Sequence, residues 1–121
     1  MEFSKIVIDH FMNPRNMGEI ENPSTKAAVS DETCGDQLWL YLDIEENKIK
    51  EAKFKALGCG AFVATCSIVT ELIKDKTLDE ANQLSAEQIT LALGGLPEEK
   101  AHCARLLTDV VKGAIENFER K

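Results

Sequence analysis

Residues 38–44, Leu-Trp-Leu-Tyr-Leu-Asp-Ile, place an apolar side chain at every second position, and this stretch decides the fold of the chain. Such alternation is typical of a strand with one buried face and one face in water. A polar turn at residues 45–48 follows, and residues 51–56 alternate again as Glu-Ala-Lys-Phe-Lys-Ala. Residues 26–32 predict a first strand. Three neighbouring strands with short connections indicate an antiparallel meander.

Helical patterns precede and follow these strands. Residues 4–12 predict a short helix, and residues 62–74 predict a longer one with apolar positions at helical spacing. Two short helices are predicted next, because Ser or Thr is followed three residues later by Glu or Gln, which is typical of a capping box. The two boxes are Thr77 with Glu80, and Ser85 with Gln88.

The last helix is predicted to run from about Pro97 to about Phe118, because Gly94-Gly95 ends the helix before it and proline suits a first helical turn. Strands followed by helices predict an α+β fold, a three-stranded antiparallel sheet packed against helices on one face. We expect residues 1–121 to form one domain. The apolar stripe of the last helix comprises Cys103, Leu107, Val110, Val111, Ala114 and Phe118.

The composition excludes several classes of protein. The chain has 121 residues, is 44% hydrophobic and carries a formal net charge of -7. A core of ordinary size is expected, and no nucleic-acid partner, because phosphate binding needs clustered Lys and Arg. No segment reaches the roughly 20 apolar residues of a membrane helix. Residues 1–5 lack the apolar stretch of a signal peptide, so we expect a cytoplasmic protein with no membrane partner.

The candidate functional residues include the four cysteines of the chain, Cys34, Cys59, Cys66 and Cys103. In a reducing cytosol, cysteines indicate metal binding or catalysis more often than disulfides. Their spacing matches neither zinc-finger pairs nor a ferredoxin run, so the fold must bring them together. The meander does so for part of the set. Cys34 and Asp36 fall in its first turn, and Cys59 follows its third strand at the same edge of the sheet.

Cys34 in a polar turn and Cys59 between Gly58 and Gly60 are difficult to explain as core residues. Glycine allows close approach of the backbone, so a thiolate between glycines could reach a metal. Asp36 has two equally good interpretations. It could be a functional residue beside these cysteines, or it could stabilise its own turn through a bond to the backbone.

His102 and Cys103 are adjacent and are predicted to begin the second turn of the last helix. Adjacent helical side chains point about 100° apart, so these two could flank one pocket from two sides. The N-terminus of a helix favours a thiolate, which would make Cys103 a ligand or nucleophile if this helix starts near the sheet edge. Taken alone, Cys103 on an apolar stripe is more simply a core residue, and a lone helical histidine is common.

Two further residues are assigned no chemistry. Cys66 lines up with Phe62, Val69 and Ile73, which predicts a core position. His10 lies near the end of the first helix, where a cation interacts favourably with the helix dipole.

Taken in order, these residues resemble the IscU family, which also occurs as the N-terminal domain of NifU. Three segments carry the likeness: Cys34-Gly35-Asp36, Gly58-Cys59-Gly60 and His102-Cys103. Residues 8–16 resemble the family's N-terminal signature, and residues 70–74 resemble the helix after its second cysteine. The related SufU type has an insertion before its third cysteine segment and lacks a histidine at the place of His102.

The resemblance implies an IscU/NifU-like two-layer sandwich that builds a 2Fe-2S cluster from iron and persulfide sulfur. Cys103 matches the usual persulfide acceptor. The implied iron ligands are Cys34, Cys59 and Cys103, with Asp36 or His102 as the fourth. Zinc is a rival occupant, because three sulfurs with one nitrogen or oxygen also make a tetrahedral zinc site. The chain is expected to be a scaffold and carrier, not a turnover catalyst.

The implied partners are a cysteine desulfurase, apo iron–sulfur acceptor proteins, and a ferredoxin or frataxin-like protein. In this family an Hsp70-type chaperone recognises the segment Leu-Pro-Pro-Val-Lys, whereas residues 96–100 here are Leu-Pro-Glu-Glu-Lys. Two acidic residues replace an apolar pair, which argues against a dedicated Hsp70 interaction.

Three other functions compete with the scaffold. The first is a zinc-binding structural or regulatory domain, for instance a partner of a cysteine desulfurase. The second is an enzyme with Cys103 as nucleophile and His102 as base, which is disfavoured because adjacent helical side chains do not face each other. The third is an electron-transfer protein, disfavoured because a permanent ferredoxin site uses four cysteines and this chain has no fourth suitable cysteine beside Cys34, Cys59 and Cys103.

Overall fold

The computed structural model of the chain describes residues 3–31 and 35–120. The α+β fold is confirmed: one sheet and its helices account for the described chain. In chain order the elements are α1 (Lys5–Met12), β1 (Thr25–Asp31), β2 (Asp36–Glu45), β3 (Lys48–Leu57), α2 (Gly60–Ile73), α3 (Leu78–Asn82), α4 (Ala86–Ala92), a 3-10 turn (Glu98–Lys100) and α5 (His102–Glu119).

The sheet has the strand order β1-β2-β3 with both pairs antiparallel, so the predicted meander is confirmed. Leu38, Leu40 and Leu42 are completely buried, while the positions between them face outward. The turn between β2 and β3 is Glu46-Asn47, and both residues have positive φ, 53° and 64°. Two successive positive φ angles define the type I′ turn, whose twist matches that of the flanking strands.

Helices α2 and α5 cover the buried face of the sheet, with α5 against β1 and β2, and α2 against β3. The apolar stripe of α5 is buried as predicted, apart from Phe118 at its end, which is partly buried. A hydrogen bond fixes α5 to the first strand, because Thr25 Oγ1 donates to the carbonyl of Ala114 at 2.8 Å. Each fully buried Leu or Val of this stripe contributes about 1.5–3 kcal/mol relative to exposure.

The predicted helix boundaries are confirmed around α3 and α4. Both capping boxes are present, with Thr77 and Glu80 bonded reciprocally at the start of α3, and Ser85 and Gln88 at the start of α4. After α4 the chain turns at Gly94-Gly95, whose φ angles of 75° and 103° end the helix.

The start of the last helix was predicted wrongly. Pro97 is extended, with φ -55° and ψ 147°, and only the 3-10 turn Glu98–Lys100 separates it from Ala101. Helix α5 begins at His102, so His102 and Cys103 open the helix and do not lie in its second turn. Proline at 97 fits the extended residue before a short turn as well as it fits a first helical turn.

In the described part of the chain, every helix is either too short or too polar to span a bilayer.

Candidate metal centre

Three metal-ligating side chains converge at one edge of the sheet. Asp36 is the first residue of β2, and His102 and Cys103 are the first two residues of α5. One ligand atom from each, a carboxylate oxygen, an imidazole nitrogen and a sulfur, lies within 4.8 Å of the other two. The docking of the start of α5 against this edge, which sequence could only assume, therefore holds.

The distances within this cluster suit a common ion. His102 Nε2 lies 3.9 Å from Oδ2 of Asp36 and 3.9 Å from Sγ of Cys103. The expectation that the adjacent side chains of His102 and Cys103 do not approach each other was therefore wrong. Donor atoms around a tetrahedral ion are separated by about 3.4–3.8 Å when the metal–ligand bonds are 2.1–2.3 Å long. The observed separations are slightly longer, and a small inward movement of each side chain would close them on an ion.

The cluster is largely shielded from water. The side chain of Asp36 is 4% exposed and Cys103 is completely buried, whereas the side chain of His102 is 24% exposed. A buried carboxylate beside a buried thiol is costly without a compensating positive charge. The donor set of one oxygen, one nitrogen and one sulfur suits Fe²⁺ or Zn²⁺.

Cys59 lies next to the cluster but outside it. It is the N-cap of α2, half-buried, and its side chain makes no capping hydrogen bond. The residue before it, Gly58, contacts Asp36: a Cβ atom at position 58 would lie 2.5 Å from Asp36 Oδ1. The predicted proximity of Asp36 and the Cys59 segment is therefore confirmed, although the Cys59 sulfur does not share the 4.8 Å cluster. Cys34 lies outside the described residues.

Cys66 occupies the core, as predicted, and it does so directly beside the site. It is completely buried in α2. Burial raises the pKa of the Cys66 thiol well above its ordinary value, and the nearby Cys103, Asp36 and Cys59 raise it further. The Cys66 thiol is therefore protonated at neutral pH and a poor nucleophile.

Sequence reasoning missed Asp31, which ends β1. Its Oδ2 lies 3.6 Å from His102 Nε2, closer than the 3.9 Å between His102 Nε2 and Oδ2 of Asp36. Asp31 and Asp36 are also partners in the register of β1 and β2. The predicted antiparallel turn could have identified Asp31 as the partner of Asp36, since residues equally far from the centre of such a turn are paired across the two strands.

His10 was assigned no chemistry, and the structure gives it a structural part. It is buried, and its Nδ1 lies 2.7 Å from Ser67 Oγ, which also accepts the backbone N–H of Arg15 at 2.9 Å. The Ser67 hydroxyl can donate its own hydrogen to Nδ1 of a neutral imidazole. Burial lowers the pKa of His10, and the charge of Arg15 acts in the same direction. His10 therefore fastens α1 and the segment after it to α2.

The chain as a whole matches a known protein family. Residues 2–121 match the family described as the NifU-like N-terminal domain. The chain belongs to this family. The resemblance to IscU and NifU, based on the order of three short segments, is thereby confirmed.

Two named relatives match this NifU-like domain over nearly its whole length. It is 41% identical over 119 residues to the iron-sulfur cluster assembly scaffold protein IscU 1 of Archaeoglobus fulgidus, covering 98% of this chain and 78% of that protein. It is 39% identical over 125 residues to the iron-sulfur cluster assembly scaffold protein IscU of Escherichia coli K12, covering 100% of this chain and 97% of the relative.

A solved structure shares the fold of this NifU-like domain. The N-terminal part of a nitrogen-fixing NifU-like protein from Brucella abortus superposes with a TM-score of 0.79 over 98% of this chain and 94% of that one. The two sequences are 19% identical, so this likeness bears on the fold alone.

Proposed function

We propose that this NifU-like domain is a scaffold on which a 2Fe-2S cluster is assembled from iron and desulfurase-derived sulfur and then passed to acceptor proteins. One observation carries the proposal: the oxygen, nitrogen and sulfur ligands of Asp36, His102 and Cys103 lie within 4.8 Å of one another. Relatives about 40% identical over nearly the whole chain bear the name of iron-sulfur cluster assembly scaffold.

Iron and the finished cluster are cargo in this function, and the chain supplies the ligands. We assign Cys34, Cys59 and Cys103 as thiolate ligands, with Asp36 or His102 in the fourth position. Oxygen or nitrogen in the place of a fourth thiolate binds iron less firmly than the four cysteines of a permanent ferredoxin site. This mixed set therefore favours release over storage.

Cys103 is the proposed sulfur acceptor. Its thiolate attacks the outer sulfur of a persulfide on a cysteine desulfurase, the sulfur–sulfur bond of that persulfide breaks, and the desulfurase thiolate leaves. The transferred sulfur is still at the oxidation level of sulfane. Two electrons per sulfur must be supplied to give the sulfide of a cluster, and a ferredoxin-class protein is the proposed donor, with a frataxin-like protein as a further partner.

The chain carries out no turnover chemistry by itself in this proposal, since the sulfur and electrons come from its partners. Thiolates that must stay reduced suit a cytoplasmic setting. The two glutamates of the 3-10 turn, Glu98 and Glu99, stand where the family has an apolar pair, so we propose that no dedicated Hsp70-type chaperone acts on this domain.

The test is anaerobic reconstitution with a cysteine desulfurase, cysteine, iron and a reductant, followed by addition of an apo-ferredoxin. The expected result is a visible 2Fe-2S absorption on this protein that decays as the ferredoxin spectrum grows. Cluster assembly in the ferredoxin at the same rate with and without this protein would refute the scaffold function.

Zinc is the second candidate occupant, and the donor set of the cluster also suits it. A domain that needs zinc for its structure loses its fold when the metal is chelated. A scaffold has to receive iron as an apoprotein, so we expect it to stay folded after chelation, and the state of the chelated protein separates the two functions.

A further inference from the structure

Two carboxylates face each other at the edge of the sheet where the site lies. Asp31, the last residue of β1, and Asp36, the first residue of β2, are direct partners in the register of the two strands. Directly opposed residues of an antiparallel pair project to the same side of the sheet, and like charges placed there are destabilising. A positive charge between them removes that repulsion.

The imidazole of His102 lies within 4 Å of both carboxylates. Its Nε2 is 3.6 Å from Oδ2 of Asp31 and 3.9 Å from Oδ2 of Asp36. Two donor atoms 3.6 Å apart can each lie about 2.1 Å from one ion, with an angle of roughly 118° at the ion, close to the tetrahedral angle. The separation of Asp31 Oδ2 and His102 Nε2 is therefore suitable for two ligands of one divalent cation.

The same histidine thus belongs to two sets of donors. The inner set is Asp36, His102 and Cys103, and Asp31 is not a member of it. The side chain of Asp31 is 20% exposed, compared with 4% for Asp36, and Cys103 is completely buried. The donors therefore change from water-accessible oxygen and nitrogen on the outside to a buried thiol on the inside.

We propose that Asp31 and His102 form a loading site, at which hydrated Fe²⁺ is bound before it moves to the inner donors. Carboxylate oxygen and imidazole nitrogen are suitable first ligands for hydrated Fe²⁺, whereas its later ligands are soft thiolates. In the transfer step the bond from iron to the Asp31 oxygen breaks and a bond to the Cys103 sulfur forms. The thiol proton passes to water, and iron stays divalent.

The inference rests on the proposed function for the identity of the ion, and on this chain's own geometry for the residues. Asp31 lies outside the three segments that carry the family resemblance, the first of which begins at Cys34.

The test is the rate at which Co²⁺, an optical probe for Fe²⁺, reaches thiolate ligands in the anaerobic apoprotein. Stopped-flow absorbance follows the thiolate-to-cobalt charge-transfer band in wild type, Asp31→Asn and Asp109→Asn. Asp109 is exposed on α5, so its substitution removes the same charge from the same protein outside the site. We expect Asp31→Asn to slow the appearance of the band about tenfold with an unchanged final spectrum, and Asp109→Asn to leave the rate unchanged.

A further variant, Asp31→Glu, keeps a carboxylate and is expected to be faster than Asp31→Asn. Unfolding curves of the apoproteins verify that each variant is folded. Equal rates for wild type and Asp31→Asn, or equal slowing by Asp109→Asn, would overturn the loading site while leaving the proposed function intact. A changed final spectrum in Asp31→Asn would also overturn it, because Asp31 would then be a ligand of the final site. A wild type without a thiolate-to-cobalt band would count against the proposed function itself.

Discussion

Gly58 and Asp36 are in direct contact: a Cβ atom on Gly58 would lie 2.5 Å from Oδ1 of Asp36 and 2.8 Å from Cδ2 of Phe62. Neither neighbour is free to move, since the side chain of Asp36 is 4% exposed and Phe62 is completely buried. Close approach, and not a special backbone angle, therefore requires glycine at this position. Gly58 therefore leaves space for the carboxylate of Asp36.

Replacement of Gly58 by Ala should damage both the fold and the site. Overpacking of a full core costs about 1–3 kcal/mol, and the displaced Asp36 carboxylate should alter the visible spectrum of bound Co²⁺. Urea unfolding of the apoprotein measures the first effect. Gly113→Ala is the matched control, because its Cβ would meet only Ala27 at 4.0 Å and alanine favours a helix by up to about 1 kcal/mol. Equal stability of the two variants would contradict the contact.

Replacement of Asp36 by Ala should lengthen the life of a bound cluster and slow its transfer. A carboxylate oxygen is a harder ligand than a thiolate and leaves iron more readily, so the proposed Asp36 ligand should be the first to release the cluster. The half-life of the visible absorption in the presence of apo-ferredoxin measures this. Asp109→Ala removes the same charge elsewhere and should behave like wild type. Faster cluster loss from Asp36→Ala would contradict the assigned role.

Replacement of Cys103 by Ser should abolish sulfur acceptance from the desulfurase, since a hydroxyl cannot form a persulfide. Mass spectrometry of the protein after incubation with desulfurase and cysteine detects the added sulfur. Cys66→Ala is the control, because Cys66 is completely buried and burial keeps its thiol protonated by raising its pKa. Undiminished desulfurase-dependent assembly on Cys103→Ser would contradict the acceptor role.

The stability of the fold should fall as the pH drops from about 7 to 5, because of His10. Burial lowers the pKa of His10, so the unfolded chain takes up a proton at a higher pH than the folded chain does. The stability is complete above the unfolded value of about 6.5 and decreases below it, by at most about 1.4 kcal/mol per pH unit. The lowered pKa of Asp9 matters only near pH 4 and below.

Urea unfolding at a series of pH values measures the effect, with His10→Gln as the comparison. Glutamine keeps a hydrogen-bonding group near Ser67 but does not titrate. The variant should therefore show a flatter pH dependence between pH 7 and 5. Identical slopes for the variant and the wild type would show that another group is responsible.

Removal of metal by a chelator should leave the domain folded. The site lies at one edge of the sheet, and Cys103 is the member of the Asp36, His102 and Cys103 cluster that belongs to the core under α2 and α5. The other residues of that core are held by close apolar packing that needs no ion. We expect the chelated protein to unfold cooperatively when far-ultraviolet circular dichroism is used to monitor its helices. Loss of helix signal on chelation would favour the structural zinc domain instead.

Much of the fold could be predicted because its signals are local. Alternation of apolar residues identified β2 and β3, and the capping boxes at Thr77 and Ser85 identified the starts of α3 and α4. The convergence of Asp36 with the segment around Cys59 also followed from strand order. The wrong start of α5 shows the limit: proline at 97 is compatible with more than one backbone conformation, and only packing selects one.

The missed parts of the site depend on partners far away in the sequence. The role of His10 requires Ser67 on α2, and nothing near His10 in the sequence indicates that contact. Asp31 looks like an ordinary polar strand end until α5 brings His102 beside it. Local patterns cannot report such pairings, because they are fixed by how the helices dock on the sheet.

The donors of the site sit at the junctions of the chain, at the end of one strand, the start of another and the first turn of the last helix. An ion held there closes a loop that contains more than half of the polypeptide, much as a disulfide would. It thereby lowers the entropy of any partly opened form in which those junctions remain joined. A domain with a bound ion should consequently resist proteases better than one without it. A partner that separates α5 from the sheet would move ligands of the ion apart and so release it.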